Sequence, residues 1–339
     1  MLLFVRGEIM VKDMKSRILV FFLVITLVVI GSVINNLFDK KDVGEVLVID
    51  ETFDLSSYTP FSDNNNLATL PNESNFKLND HLPIIDGATA FYPLYASFVQ
   101  AVYPDNLDYG VNTSEYVKCG KTSWAYNDLI QGEVDIIFVF GPSEEITDYA
   151  DVAGVELEFT LIGKEAFVFF ANINNPVDSL TVEEIKNIYS GETVNWKDVG
   201  GNNQEIIAYQ RNESSGSQTA LLRVMDEVEV MEAPGELIQT GMSGIILEVS
   251  SYQNNSNAIG YSFLYFATEM VPNDQIKLFA IDGIAPTKEN IANGTYPFID
   301  DFYAVTRKDK SKNTKKLLDW ILSDEGQYLV KAIGYTPIK

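Results

Sequence analysis

The sequence predicts an α/β protein built as two lobes behind one apolar N-terminal segment, and three features of its 339 residues carry that reading. Short apolar runs alternate with stretches of helical periodicity. Three small, hydroxyl-bearing loops each open a helix. A long apolar run near the start stands behind a cluster of basic residues. Strands alternating with helices imply mainly parallel sheets, in which ligands bind at the carboxyl ends of strands and at helix N-termini.

Taken in order, residues 1–17 are a basic flank carrying Arg6, Lys12, Lys15 and Arg17, and residues 18–34 (ILVFFLVITLVVIGSVI) are nearly uninterrupted in apolarity. That run is long enough to span a bilayer. Positive charge ahead of it places the N-terminus in the cytoplasm and the remainder outside, so a transmembrane or signal helix is expected, with membrane attachment through residues 18–34. Gly31 and Ser32, small residues near its end, also suit a cleaved signal peptide. No cysteine stands directly after the run, so a lipid-modified cysteine anchor is not expected. Residues 35–80 are polar and turn-rich and read as an extracytoplasmic stalk, or a strap lying on the domain through Phe61, Leu67 and Leu70.

Beyond it, residues 82–85 form a short strand, and Phe91, Leu94, Tyr95, Phe98 and Val102 follow at helical spacing. Residues 122–131 read as a helix, 134–140 as a buried strand and 165–171 as another strand. The run Thr181-Val-Glu-Glu184 is a capping box opening a helix that reaches Ser190. A strand at 206–209 precedes a helix at 217–225. The C-terminal stretch has a strand at 302–306 and helices at 315–322 and 326–333; the lysines at 308, 310, 312, 315 and 316 suit a solvated helix start.

Charge and rare residues narrow the function classes. Forty-eight acidic against 24 basic residues give a formal net charge of -24, which repels nucleic acid over most of the surface, so no nucleic-acid partner is expected. A buried site still captures an anion with oriented N–H groups and one arginine. The single cysteine, Cys119, excludes an intrachain disulfide. With the single histidine, His81, it leaves no Cys/His metal site and little room for a Ser-His-Asp or Cys-His hydrolase. No metal and no cofactor are expected.

The most informative stretch is YQRNESSGSQT, residues 209–219, with an arginine after a strand and a hydroxyl-rich loop at a helix start. Such a loop offers unpaired N–H groups, serine hydroxyls and the positive end of the helix dipole to one tetrahedral anion. Arg211 adds a planar fork matching two oxygens. A lone serine before a helix is as readily a plain cap. Two further loops of the same character, DGATA at 86–90 and GKTS at 120–123, shift the balance toward one anion site closed between two lobes.

At these residues the chain resembles the phosphate-binding components of bacterial ABC importers, of the type II periplasmic-binding-protein fold. The likeness covers about residues 82–337 and rests on DGATAFYPLYASF (86–98), LTVEEIKNIYSGETVNWKDVGG (180–201), RNESSGSQTAL (211–221) and AIGYSFLYF (258–266). It implies a first lobe of residues 81–163 and 261–339, a second lobe of 164–260, and phosphate held between them. Carried over residue by residue, the implied ligand-binding set is Thr89 with the N–H of Ala90, Thr122 with Ser123, Arg211, and Ser215, Gly216 and Ser217. It also implies a monomeric binding protein, not an enzyme, that delivers phosphate or a similar oxyanion to permease subunits of an ABC importer. A membrane-tethered anion sensor, or a binder of another anion uncoupled from transport, is the alternative.

One departure concerns the ligand. Members that discriminate phosphate from sulfate usually carry an aspartate just after the Val-Asp strand; here the place falls near Phe140, and the nearest acids are Glu144 and Glu145. Enzyme motifs fare worse. Ser74-x-x-Lys77 and Lys121-Thr-Ser imitate penicillin-recognising enzymes, but the first lies in the stalk and no Ser-x-Asn lies between them. Cys119-Gly-Lys-Thr122 imitates the end of a P-loop, yet Glu115 stands where its first glycine is required.

Overall fold

A computed structural model describes residues 54–213, 215–251 and 256–339. The expected span at 18–34 lies outside the described residues; among those described, no helix is long and apolar enough to cross a membrane.

The principal sheet has eight strands: β1 (Ile85–Gly87), β2 (Ile136–Phe140), β3 (Leu157–Asn172), β4 (Ile207–Ala208), β5 (Ala258–Phe263), β6 (Ile276–Leu278), β7 (Ile299–Arg307) and β8 (Thr336–Pro337). Its order is β1-β2-β7-β3-β5-β4, with β6 and β8 also on β3. The expectation of mainly parallel strands is corrected here. β1 pairs parallel with β2, and β4 with β5, but β7 runs antiparallel to both its neighbours and β3 runs antiparallel to β5, β6 and β8. The cause is the route of the chain: β3 carries it away from the first lobe and β7 runs back alongside.

β3 is the spine. From Leu157 to Ala166 it pairs with β7, and Lys164 and Gly163 also meet β8; from Phe167 to Asn172 it pairs with β5 and β6. The two lobes of this mixed α/β fold are thus joined through one strand whose second half, residues 166–172, is entirely buried. Each fully buried apolar side chain there contributes about 1.5–3 kcal/mol. Its first half is partly exposed: Glu158 pairs with Lys310 at 2.5 Å, and Glu156, just before the strand, with Lys308 at 2.6 Å; Lys308 is solvated, whereas Lys310 is largely covered.

Helices cover the sheet: α1 (Tyr92–Val102), α2 (Lys121–Gln131), α3 (Glu144–Ala153), α4 (Val182–Tyr189), α5 (Gly216–Met225), α6 (Met242–Ser250), α7 (Lys288–Ala292), α8 (Lys312–Ile321) and α9 (Asp324–Ile333). The capping box at Thr181 and Glu184 is formed in full. Trp196 and Trp320 are buried, and the indole N–H of Trp320 donates to Glu325 Oε2 at 2.8 Å.

Residues 54–80 lie against the first lobe. Tyr58, Leu67 and Leu78 are buried, Phe61 and Leu70 pack on the core, and the Phe61 ring stands 5.3 Å from that of Tyr109. The N–H of Leu78 donates to the Val102 carbonyl at 2.8 Å, and that of Ala68 to Ser97 Oγ at 3.1 Å. Ser74 donates its hydroxyl to Glu325, so the serine of the Ser-x-x-Lys match serves a structural bond.

Candidate oxyanion site

The first loop follows β1. Ile85 is hydrogen-bonded to Tyr116 and Lys118 on one side, while Ile84 accepts from the Asp135 and Ile136 N–H groups at the start of β2 on the other, which holds the loop rigidly at its root. Gly87 is required by close approach, since a Cβ there would stand 2.5 Å from the Phe138 carbonyl oxygen. Thr89 then opens a single 3-10 turn, Thr89–Phe91, that runs into α1. Thr89 is half-buried; Ala90 is buried, and its carbonyl accepts from the Tyr335 hydroxyl.

The second loop opens α2. No side chain caps this helix at Gly120, but the Gly120 N–H donates to Asp86 Oδ1 at 2.6 Å, and the Gly87 N–H reaches the same oxygen at 2.7 Å. One carboxylate therefore ties the first loop to the second. Cys119 adds a second contact, with Sγ 3.9 Å from Thr89 Oγ1, and burial pushes its thiol up to about 11, so it stays neutral. Asp86 is fully buried. Desolvation raises its carboxyl to about 6 against the opposing pull of the two N–H donors.

The third loop opens α5. Ser215 is its N-cap, accepting from the Gln218 N–H at 3.1 Å, and Ser217 is buried, with no partner for Oγ among the described residues. Arg211 is buried rather than at the surface. Its Nε donates to the Gln239 carbonyl and Nη2 to the Thr240 carbonyl, both at 2.8 Å, whereas Glu213 is exposed. The Arg211 N–H reaches Tyr261 Oη at 2.9 Å and Gln218 Oε1 at 3.0 Å, and the Tyr261 hydroxyl donates to Gln218. The arginine is thereby locked to α5 and to β5.

The second and third loops meet. A Cβ built on Gly216 would stand 2.6 Å from Thr122 Oγ1, so the starts of α2 and α5 face each other in contact and glycine is needed at the junction. Thr89, Thr122, Ser215, Gly216 and Ser217 consequently belong to one continuous cluster; Ser123 follows Thr122, half-buried, on the first turn of α2. Two facing helix N-termini bring unsatisfied N–H groups and two positive dipole ends to one place, an arrangement that favours an anion.

Phe140 occupies the place of the expected aspartate because its ring is used in packing: it lies 3.8 Å from Phe263 and 4.7 Å from Phe91, centroid to centroid. Glu144 and Glu145 are exposed on the first turn of α3, where they complement the helix dipole. A cavity of about 600 Å³ lies elsewhere, lined by Lys164, Arg223, Tyr296, Asp300 and Tyr303, and none of the three loops contributes to it. In its lining Arg223 of α5 pairs with Asp300 of β7 at 2.9 Å, a second tie across the lobes. Asp86, an acid in an otherwise small, uncharged loop, joins the first two loops although no motif marks it for that role.

Residues 84–325 match the PBP superfamily domain. The chain belongs to the PBP superfamily. Among curated relatives, phosphate-binding protein PstS of Bacillus subtilis is 27% identical over 258 residues, covering 75% of this chain and 80% of that protein. Phosphate-binding protein PstS of Staphylococcus saprophyticus is 26% identical over 252 residues, covering 71% and 76%. An ABC-type phosphate transport receptor from Vibrio cholerae superposes with a TM-score of 0.57 at 22% identity, covering 75% of this chain and 99% of the receptor. A phosphate-binding protein from Stenotrophomonas maltophilia gives 0.56 at 13% identity, covering 76% and 91%. At such identities the structural likeness shows the shared two-lobed fold.

Proposed function

We propose that this superfamily member is a binding protein, not an enzyme, that captures phosphate between its two lobes for an ABC importer, with the globular part outside the cytoplasmic membrane. The observation that carries the reading is the contact of the α2 and α5 starts at Thr122 and Gly216, with an arginine that is held by two carbonyls and tied to α5 through Gln218. Thr89, the Ala90 N–H, Thr122, Ser123, Arg211, Ser215, Gly216 and Ser217 form the proposed binding set. The curated relatives, named for phosphate binding, support the choice of ligand.

Opening and closing would turn on the two stretches that pair with each other at the crossing, residues 163–169 and β5. The switch of β3 partners between Ala166 and Phe167 supports a boundary there. Residues 276–281 pair with the far half of β3 and with Ser179–Leu180, so the second lobe regains a segment after β5. Scattering of the full-length chain should show compaction on ligand addition. Calorimetric titration with phosphate, arsenate, sulfate, molybdate and small organic phosphates tests the function: phosphate binding is expected, and a chain that binds none of the tetrahedral oxyanions refutes it.

A further inference from the structure

We propose that Arg223 and Asp300 are positioning residues that clasp the two lobes in the closed form, holding the α5 start over the bound anion and slowing its release. The clasp presupposes the phosphate-binding reading above and adds the pair that keeps that site shut.

The pair stands at the far end of the helix that carries the third loop. α5 begins at Gly216, against Thr122, and Arg223 lies two turns on, about 10 Å along the axis. Its Nη2 donates to Asp300 Oδ2 at 2.9 Å. Asp300 is the second residue of β7 and lies opposite Glu165, on the first-lobe side of the point at which β3 changes partners. α5 is therefore held to the first lobe twice, at its start by a close contact and in its last turn by an ion pair.

The Arg223 charge is turned toward the first lobe more widely. It opposes the upward push of burial on the hydroxyls of Tyr126 in α2 and Tyr303 in β7, so the guanidinium stands near three residues of that lobe. Tyr126 in turn donates to the Phe140 carbonyl at 2.8 Å, at the end of β2. Among the described residues no acid of the second lobe pairs with Arg223, so parting of the lobes leaves the guanidinium without its partner.

The surroundings make the pair reversible. Both residues line the cavity of about 600 Å³, and their side chains are 37% and 23% exposed. A pair that stays wetted is weak, because water and salt screen it and little hydration is lost when it forms. That suits a contact broken at each release, whereas a fully desolvated pair is far harder to separate.

The test uses the purified full-length chain and inorganic phosphate. Radiolabelled phosphate chased with an excess of unlabelled phosphate reads the release rate, and calorimetry reads the affinity. Arg223→Ala and Asp300→Ala should each release phosphate about two- to fivefold faster, with association no slower. Arg223→Asp sets like charges face to face and should speed release about fourfold to twentyfold; adding Asp300→Arg to the same chain should recover most of the loss. A residue that merely braces α5 would on removal misplace Ser215 and Ser217, slow association and gain nothing from the exchange of charges. Release unchanged in Arg223→Asp, or no recovery in the exchanged pair, overturns the proposal. Should Arg223→Asp fail to fold, as judged by circular dichroism, Arg223→Gln gives the answer. It should release phosphate faster than wild type at low salt and at the same rate in ~0.5 M NaCl, since salt screens a pair that only the wild type possesses; rates that match in both salts refute the clasp. Wild type that binds no phosphate removes the function and the clasp together, whereas wild type that binds phosphate beside indifferent variants removes the clasp alone.

Discussion

Replacing Arg211 probes the proposed site most directly. Its guanidinium is held by two carbonyls at 2.8 Å, from Gln239 and Thr240, and its backbone by Tyr261 and Gln218, so the fork is aimed before any ligand arrives. Lysine keeps the charge but has neither the planar geometry nor a second nitrogen to satisfy both carbonyls. Charge-assisted hydrogen bonds of this kind are worth about 1.5–3 kcal/mol each, and 1.4 kcal/mol is one factor of ten, so Arg211→Lys should weaken phosphate binding roughly tenfold to a hundredfold, and Arg211→Ala by more. Both variants also strand buried carbonyls, at about 1–3 kcal/mol of stability, so thermal unfolding must be followed alongside and titrations run well below the midpoint. Calorimetry with phosphate reads the affinity. Phosphate affinity unaltered in Arg211→Ala would remove the site proposed above.

Three further outcomes are expected. Ser215→Ala should weaken phosphate binding less than either arginine variant, because backbone N–H groups at the α5 start remain, while loss of the cap to Gln218 lowers stability by about 1 kcal/mol in a denaturant titration. Gly216→Ala should leave the separate lobes intact but force Thr122 or the facing helix to yield by about 0.5–1 Å; affinity should drop, and an unaffected affinity would show that the two helix starts need not touch. Glu165, buried in β3 and accepting from the Ala166 and Tyr265 N–H groups, has its carboxyl raised by desolvation from 4.5 to about 8. The folded chain therefore holds that proton longer than the unfolded chain, and the stability it contributes, full below about pH 4.5, is lost as pH rises through about 8. Glu165→Gln should thus melt like wild type at pH 5 and become relatively more stable at pH 9, by up to a few kcal/mol; an equal difference at both pH values would contradict the linkage.

Much of the site was legible along the chain because its parts are local. A glycine or hydroxyl before a run of helical periodicity marks a helix start, and α2, α4 and α5 each begin within a residue of the expected place. Strands were found where they are buried on both faces, as in 165–171, and underestimated where they are not: β3 extends back to Leu157, through the alternating Glu158 and Lys164 that a search for apolar runs passes over. The antiparallel pairing of β3 with β5 and β7 was likewise not in the local pattern, since a fully apolar strand is compatible with neighbours in either direction.

By itself the sequence determined the residue types available for chemistry: one cysteine, one histidine, a net charge of -24 and three hydroxyl-bearing helix starts, which exclude most catalytic and metal sites and favour an anion held by dipoles. The tertiary structure decided which of those residues touch. That Thr122 meets Gly216, that Arg211 is clamped by the Gln239 and Thr240 carbonyls, and that Asp86 lies buried with one oxygen engaged by the Gly87 and Gly120 N–H groups all depend on segments distant in sequence being packed together. Periodicity records which face of an element avoids water; it carries no record of which other buried face closes over it, and at Asp86 that closure sets both the hydrogen bonds and the raised carboxyl.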